Sequence, residues 1–449
     1  MSKMTTPICD FVDRYAKGDA LRLHMPGHKG EVLVGCERLD ITEIAGADSL
    51  YEATGIIRES EQNASALFGA DTFYSTEGSS LCVRAMLHLI AKKSTKRGEK
   101  TLILAGRNAH KAFLSAAALL DLDVEWLYPD AESAYLSCPI DASSLDVMLK
   151  KAVRRPAAVY LTSPDYLVNR ADIAAIAAVC HANGVYLLVD NAHGAYLKFL
   201  PRSQHPIDLG ADLCCDSAHK TLPALTGGAY LHVSKHVSGL FANDAKKALA
   251  LFGSTSPSYL TLQSLDAVNA YLANGYPQRL ADFAAQIAAC KDRLTAAGYT
   301  LCGDEPLKLT IHAKPYGYLG TELADLLQNV GIVCEFCDPD FLVLMLTPET
   351  GDAGIARLER ALCAIPRRAP IMVQAPMLSI PEKRFSIREA MLSDSESLPV
   401  SACLGRVLAD AGVGCPPAVP IAVCGEVLDA AVLRVFAYYG ITHAAVVKQ

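Results

Sequence analysis

Asp212-Leu-Cys-Cys-Asp-Ser217-Ala-His219-Lys220-Thr-Leu-Pro is the stretch from which the fold of this chain can be predicted. A short apolar run of strand character leads into Ser217, His219 and Lys220, and the small residues Thr226-Gly-Gly-Ala229 follow. A lysine held among such residues can be desolvated, which lowers the pKa of its amine and makes it a nucleophile toward an aldehyde. Lys220 is therefore the first candidate catalytic residue, although most strings of this kind are surface turns.

Apolar strands alternate with helices in the chain before this stretch. Segments 101–105, 157–162 and 185–189 have the length and apolar character of buried strands, and segments 112–120 and 173–183 have helical spacing. Such alternation is typical of an α/β fold in which a mainly parallel sheet is covered by helices on both faces.

Polar clusters begin where several of these strands end. Gly78, His110, Thr162 and Asp190 each open such a cluster. In sheets of this type, ligands bind at the carboxyl ends of the strands. The coincidence favours a binding site over a set of unrelated solvated turns.

Asp190 and the turn Gly78-Ser79-Ser80 supply what the lysine chemistry needs. Pyridoxal phosphate is the usual aldehyde partner of a lysine such as Lys220, and a buried carboxylate keeps its pyridine nitrogen protonated. Free N–H groups and hydroxyls at a helix start suit its phosphate. Both features also have ordinary explanations, because Asp190 and the serines could simply be helix N-caps.

Composition limits the class of protein. A chain of 449 residues with 51% hydrophobic and 20% charged residues is typical of a globular enzyme of two or three domains. We predict an N-terminal segment and large cofactor-binding domain over 1–265, a small α/β domain over 266–365 and a C-terminal domain over 366–449. The net charge of -7 and the lack of a basic stripe argue against a nucleic-acid partner.

Targeting and metal signals are not found in the sequence. The amino terminus lacks the apolar core of a signal peptide, and no segment runs eighteen apolar residues unbroken, so we expect a cytoplasmic protein with no membrane partner. The 15 cysteines show no metal-ligand spacing, and we expect no metal. In the C-terminal half, apolar patterns predict strands at 307–312, 332–336 and 341–346, and helices at 277–297, 320–330, 354–364, 386–392 and 398–411.

Further motifs occur in a fixed order along nearly the whole chain. They are Pro26-Gly27-His28-Lys29, Phe68-Gly69-Ala70, Gly78-Ser79-Ser80, Arg107-Asn108-Ala-His110-Lys111, Thr162-Ser-Pro164, Asp190-Asn-Ala192-His193-Gly194-Ala195, Ser217-Ala-His219-Lys220-Thr221-Leu222, Pro416-Pro417 and Gly425-Glu426. In this order they resemble the Orn/Lys/Arg decarboxylase family, in its short form without an amino-terminal receiver-like domain. The resemblance implies a fold-type-I, pyridoxal-phosphate-dependent transferase-like architecture with smaller α+β carboxyl-terminal parts.

The resemblance also implies roles for individual residues. Lys220 would bond to the cofactor aldehyde, Asp190 would pair with the ring nitrogen, and His110 would lie over the ring with His219 beside the lysine. Glu426 would bind the distal cationic group of the substrate. The cofactor-binding residues implied by the resemblance are Gly78, Ser79, Ser80, His110, Asp190, Ala192, His193, Ser217 and Lys220.

The implied activity is decarboxylation of arginine, lysine or ornithine to the amine and CO₂, in polyamine metabolism, by a homodimer. Cys415, Ala418 and Cys424 depart from the family pattern near the presumed substrate end. Two alternatives stay open. One is aminotransfer or elimination with the same cofactor, with Arg406 or Arg434 holding the substrate carboxylate, and the other is a catalytically silent regulatory protein of the same fold.

Overall fold

The computed structural model describes residues 4–94, 99–129, 138–165, 169–377, 380–414 and 420–448. Two compact units interrupt each other along the sequence. The first contains Met1–Glu99, Arg155–Tyr160 and Ile173–Gln278, and the second contains Lys100–Arg154, Leu161–Asp172 and Arg279–Gln449. The three-domain division at 265/266 and 365/366 stays a prediction.

The α-helices occupy much of the described chain. In order they are α1 (Pro7–Lys17), α2 (Ile56–Phe68), α3 (Gly78–Ser94), α4 (Lys111–Leu119), α5 (Ala142–Lys151), α6 (Ile173–Ala182), α7 (Ala218–Thr221), α8 (Ser238–Phe252), α9 (Tyr259–Ala273), α10 (Tyr276–Ala296), α11 (Gly320–Asn329), α12 (Gly351–Cys363), α13 (Ile387–Leu392) and α14 (Ala430–Tyr438). Short 3₁₀ turns, among them Lys235–Val237, connect some of them.

The β-strands are short, and most are buried. They are β1 (Asp71–Ser75), β2 (Leu102–Gly106), β3 (Asp123–Leu127), β4 (Ala158–Thr162), β5 (Tyr186–Asp190), β6 (Leu213–Asp216), β7 (Ala229–Val233), β8 (Thr300–Cys302), β9 (Lys308–His312), β10 (Phe336–Cys337), β11 (Phe341–Met345), β12 (Ser395–Pro399), β13 (Gly412–Gly414), β14 (Pro420–Val423) and β15 (His443–Val447). The predicted alternation of strands and helices from β1 to β6 is confirmed.

In the first unit, neighbouring strands run in the order β1-β7-β6-β5. β5 and β6 are parallel, with Asp190 opposite Cys215, whereas β7 is antiparallel to both β6 and β1. Because β5 and β6 are parallel, the segments that follow Asp190 and Asp216 leave the sheet at the same edge. This edge therefore carries both the Asp190 segment and the Lys220 segment.

Helix α2 shows how local sequence sets an element boundary in this unit. It ends at Gly69, which has φ 69° in the left-handed region, and the Gly69 N–H donates to the Ser65 carbonyl at 2.9 Å. Glycine adopts this conformation without the steric cost of a side chain, so it is a common helix stop. The next strand, β1, begins two residues later at Asp71.

In the second unit, β2 and β3 pair in parallel, and a separate antiparallel sheet has the order β10-β11-β9-β8. The predicted strands at 307–312 and 341–346 are confirmed as β9 and β11. The strand predicted at 332–336 shrinks to Phe336–Cys337. β12 pairs with β15 and β13 with β14, each antiparallel.

The helix predicted at 398–411 is wrong. Residues Ser395–Pro399 form β12, a 3₁₀ turn follows, and no helix spans the rest of this described segment. Pro399 has no N–H to donate inside a helix, and Gly405 has φ 76°, so both residues disfavour helix. The apolar spacing instead reflects Cys403 and Leu408, which are buried in a core with Phe436.

None of the described helices is both long and apolar enough to cross a bilayer. Cys415 and Ala418, two of the departures from the family pattern, lie outside the described residues.

Candidate active site

Lys220 lies in the short helix α7, directly after β6. Its Nζ is 3.1 Å from Nε2 of His193, and His193 belongs to the segment that follows β5. The parallel pairing of β5 with β6 brings these two segments together. The structure thus places Lys220, His193 and the Asp190 segment at one edge of the sheet in the first unit.

Asp190, at the end of β5, is 3% exposed and holds its carboxylate in a defined orientation. The Tyr160 hydroxyl donates to Oδ2 at 3.0 Å, and the Ala192 N–H donates to Oδ1 at 3.2 Å. Burial, and then the charge of Asp190, raise the pKa of Tyr160 well above its ordinary value, so the phenol stays a donor. A carboxylate has about four acceptor positions, which leaves Asp190 capacity for a further donor.

Two serine hydroxyls meet at the start of α3. Ser217 Oγ, which follows β6, donates to Ser79 Oγ at 2.8 Å, and Ser80 lies in the same first turn. Helix α3 has 17 residues, and the N–H groups of its first turn have no partner within the helix. Hydroxyls beside such N–H groups, at the positive end of a helix dipole, form a suitable environment for an anion.

The turn before α3 depends on a close contact between two loops. The Gly78 N–H donates to the Gly227 carbonyl at 2.7 Å, and Gly227 has φ 96°. A Cβ at position 227 would lie 2.6 Å from the Thr76 carbonyl oxygen. Both the backbone conformation and the space therefore require glycine at 227, and this glycine fixes the start of α3.

His219 is held by its backbone and by its ring. Its Nδ1 is 2.9 Å from the Gly228 carbonyl oxygen, and because a carbonyl only accepts, Nδ1 carries the proton. Nε2 is then the nitrogen of the neutral ring that acts as a hydrogen-bond acceptor. A Cβ at Gly78 would lie 4.0 Å from His219 Cε1, so the ring stands beside the start of α3.

These groups fit pyridoxal phosphate. The cofactor has an aldehyde, a basic ring nitrogen and a phosphate, and the first unit offers an amine (Lys220), a buried carboxylate (Asp190) and the hydroxyl-lined start of α3. In addition, the Thr221 hydroxyl, next to Lys220, is buried and has no hydrogen-bond partner among the described residues. A buried polar atom normally has a partner, so Thr221 is a further group that a bound ligand would satisfy.

Sequence reasoning missed a buried network behind this edge. Asp216, at the end of β6, is 3.0 Å from His205 Nε2 and 3.1 Å from His232 Nε2, and Asn191 Nδ2 donates to it at 2.7 Å. All four residues are fully buried. Asn191 directly follows Asp190, so this network anchors the loop that carries Asp190 and His193. No sequence spacing links residues 191, 205, 216 and 232. Only the tertiary fold brings these four side chains together.

The network should make stability pH-dependent. Burial raises the pKa of Asp216, but the neighbouring His205 and His232 lower it more, so the pKa lies below its ordinary value. The pKa of His232 is also lowered, by burial first, although Asp216 opposes this shift. Both groups thus bind protons less readily in the folded protein. Their stabilisation is present above the unfolded pKa values, about 6.5 for His and about 3.9 for Asp, and is lost as the pH falls below each.

We therefore expect the apparent Tm to fall by several degrees between pH 7 and pH 5, since about 1 kcal/mol changes the Tm of a domain of this size by about 2–4 °C. His232→Gln keeps an amide donor for Asp216 but cannot titrate, so its Tm should fall less over the same range. Thermal unfolding of both proteins followed by circular dichroism checks this. Equal slopes in the two proteins would contradict it.

His110 and Glu426 belong to the second unit. His110 is the N-cap of α4, where its Nδ1 accepts from the Ala112 N–H at 3.2 Å. Glu426 is 2% exposed, and Nη1 and Nη2 of Arg107 donate to its two oxygens, each at 2.7 Å. The predicted roles of His110 toward the ring and of Glu426 toward the substrate stay predictions.

The Arg107–Glu426 pair is further enclosed by aromatic rings. The guanidinium carbon of Arg107 lies 5.2 Å from the ring centre of Trp126 and 5.4 Å from that of Tyr128, and Val423 N–H donates to Glu426 at 2.9 Å. Burial lowers the pKa of Arg107, but Glu426 more than compensates and raises it. In the described structure the Glu426 carboxylate is therefore bound by a guanidinium of the same chain.

Comparisons with known proteins agree with this arrangement. Residues 6–302 match the family model described as Orn/Lys/Arg decarboxylase, major domain. The uncharacterized protein YaaO of Bacillus subtilis (strain 168) is 30% identical over 94% of this chain and 92% of its own length. A Halalkalibacterium halodurans protein named arginine decarboxylase is 29% identical over 94% of this chain and 91% of its own.

Solved structures confirm the predicted fold. The lysine decarboxylase LdcF of Francisella novicida superimposes with a TM-score of 0.81, at 16% identity, over 99% of this chain and 81% of its own. A NifS-like protein superimposes with a TM-score of 0.56, at 13% identity, over 80% of this chain and 94% of its own. Both have the fold-type-I architecture of pyridoxal-phosphate-dependent enzymes. Since the family model covers well over half of the chain, this protein belongs to the Orn/Lys/Arg decarboxylase family and, with it, to the carboxy-lyases.

Proposed function

We propose that the chain binds pyridoxal 5'-phosphate at the edge formed by β5, β6 and the start of α3, and decarboxylates a basic L-amino acid to its amine and CO₂. The observation that carries the proposal is the common location of Lys220 and the Asp190 segment, joined by the 3.1 Å contact of Lys220 with His193. When bound, the cofactor supplies an electron sink for the pair released at the substrate Cα.

The residues of the first unit divide the work of binding and orientation. The Lys220 amine would hold the cofactor at its aldehyde, and the Ser79, Ser80 and Ser217 hydroxyls would donate to its phosphate. Asp190 would keep a proton on the ring nitrogen, and the Tyr160 hydroxyl, which donates to Asp190 Oδ2, holds the carboxylate in its orientation. Burial of Asp190 excludes water, which strengthens its interaction with the protonated nitrogen.

Proton transfer falls to the histidines and the lysine. His193 Nε2 contacts the Lys220 amine and can accept its proton, which leaves the amine nucleophilic. Loss of CO₂ leaves the Cα of the product in need of a proton. His219 Nε2 is one candidate donor once it has taken up a proton, since the Nδ1 proton is bonded to the Gly228 carbonyl, and the Lys220 ammonium is the other.

The substrate class rests on the relatives. Several relatives named arginine decarboxylase match more than nine tenths of this chain, among them proteins of Halalkalibacterium halodurans and Bacillus subtilis. Arginine is therefore the first substrate to test, with lysine and ornithine beside it. The products would be agmatine or a diamine, which are compounds of polyamine metabolism.

A substrate panel tests the proposal. The pyridoxal-phosphate-loaded protein is incubated with arginine, lysine and ornithine, and CO₂, amine and keto acid are quantified. We expect CO₂ and amine in equal amounts from at least one of them. A keto acid without CO₂ would instead assign aminotransfer, and no product from any substrate in a protein that carries the cofactor would assign a silent regulatory protein.

We also propose that the protein is a cytoplasmic homodimer. Size-exclusion chromatography of the holoenzyme with light scattering tests the dimer. We expect the mass of two 47.9 kDa chains. A fully active monomer would contradict the dimer without affecting the assignment of the reaction.

A further inference from the structure

Among the residues that the structure describes, the first unit contains two clusters in which an aspartate lies between two histidines. One consists of His205, Asp216 and His232 and is fully buried. The other consists of His181, Asp212 and His236, which we call the surface triad. In the surface triad the aspartate is buried, whereas the side chains of His181 and His236 are 41% and 47% exposed.

The surface triad joins three elements at the amino end of β6. His181 lies in the last turn of α6, Asp212 immediately precedes β6, and His236 lies in the 3₁₀ turn Lys235–Val237. Lys220 follows the opposite, carboxyl end of the same strand. The surface triad is therefore separate from the edge to which we assign the cofactor.

The potential ligand atoms of the surface triad converge. Asp212 Oδ2 is 3.2 Å from His181 Nε2, and Asp212 Oδ1 is 2.7 Å from His236 Nε2. The three ligand atoms lie within 4.8 Å of one another, and the two rings are 5.4 Å apart in an edge-to-face arrangement. A four-coordinate zinc site needs ligand atoms about 3.3 Å apart. Rotation of two half-exposed imidazoles can close the remaining distance.

Supporting hydrogen bonds hold these ligands as they hold the ligands of known metal sites. Ser234 Oγ is 2.7 Å from His236 Nδ1, which leaves Nε2 to face Asp212. The Leu187 N–H donates to Asp212 Oδ2 at 2.7 Å and fixes the carboxylate. Partners of this kind set the ring tautomer and orientation of a ligating histidine.

The buried cluster has the same residue types as the surface triad but differs from it in hydrogen bonding and exposure. In the buried cluster, His205 Nδ1 accepts from the Ile207 N–H, and His232 Nδ1 is hydrogen-bonded to the Thr72 hydroxyl. The Asn191 amide donates to the Asp216 carboxylate. All three residues of the buried cluster are fully buried, whereas a metal site needs an entry path for the ion. The surface triad combines the same ligand types with exposed imidazoles and room for solvent as a fourth ligand.

We propose that His181, Asp212 and His236 bind a divalent transition-metal ion of the zinc class, with water as the fourth ligand. Two imidazole nitrogens and a carboxylate oxygen form a ligand set that suits such ions better than it suits Mg²⁺ or Ca²⁺. The ion would tie α6 and the 3₁₀ turn at Lys235 to the start of β6. Its effect is expected on thermal stability rather than on the decarboxylation step.

Cobalt(II) and zinc(II) test the site in untagged holoenzyme treated with a chelator and dialysed. We expect one Co²⁺ per chain with the intense visible absorption of tetrahedral coordination, full displacement by Zn²⁺, and a rise in Tm with Zn²⁺. His181→Ala and His236→Ala should each weaken Zn²⁺ binding at least tenfold, measured by calorimetry, and Ser234→Ala should weaken it by about tenfold.

His443→Ala is the matched control, because His443 is exposed and contacts only the Thr442 hydroxyl among the bonds described for it. It should bind Zn²⁺ as the parent protein does. The substituted histidines are exposed, so circular dichroism and decarboxylase activity should be unchanged in each variant. Binding that is absent from the parent protein, or that persists at parent affinity in both His181→Ala and His236→Ala, would overturn the proposal.

Discussion

Lys220→Ala should abolish decarboxylation, with kcat lower by roughly 10³-fold or more, because it removes the amine that we propose would hold the cofactor. The visible absorption of the lysine-bound cofactor should disappear, and borohydride should no longer attach the cofactor to the protein. Stability should change little, since Lys220 is only partly buried in a helix of four residues. Spectra, borohydride labelling with peptide mapping, and CO₂ release measure these effects.

The matched control is Lys92→Ala. Lys92 is half-exposed, lies in the same unit at the end of α3 and pairs with Asp244 at 2.8 Å. It should keep the spectrum, the label and the activity. Borohydride labelling that persists in Lys220→Ala would show that another amine binds the cofactor, and the roles given to Asp190 and His193 would then have to be reassigned.

The sequence was sufficient to predict the elements around Lys220 because each carries a local pattern. The strands that end at Asp190 and Asp216 are short apolar runs, and parallel pairing by itself brings their carboxyl ends together. Hence the common location of the Asp190 and Lys220 segments could be predicted from periodicity and strand order, without knowledge of any side-chain contact.

Contacts between distant segments could not be predicted in this way. Asp216 ends the apolar run before Ser217, but its bonds to His205 and His232 depend on tertiary contacts that no periodicity encodes. The segment 398–411 has apolar spacing compatible with a helix, yet tertiary packing around Phe436 and pairing with β15 favour a strand and turns. Burial overrides local propensity where the two disagree.

The pair of Arg107 and Glu426 is the second case in which a large effect is expected. Glu426→Gln or Arg107→Met should each cost about 3–5 kcal/mol, because each leaves one buried charge without its partner. The double variant should be less destabilised than the sum of the two, since it leaves no unpaired charge. Thermal or urea unfolding of the four proteins gives the coupling free energy. Additive effects would contradict a direct pair.

The same variants also test the prediction that Glu426 binds the distal cation of the substrate. Both of its oxygens already accept from Arg107, so the substrate would have to displace a guanidinium held by two bonds of 2.7 Å. If the carboxylate serves only this pair, Glu426→Gln should lower Tm and leave the KM of the folded fraction unchanged. If it binds substrate, Glu426→Gln should raise KM, and Arg107→Met should lower it by removing the internal competitor. Opposite shifts in KM for the two variants are an outcome that lost stability cannot produce, and they separate a substrate contact from a structural ion pair.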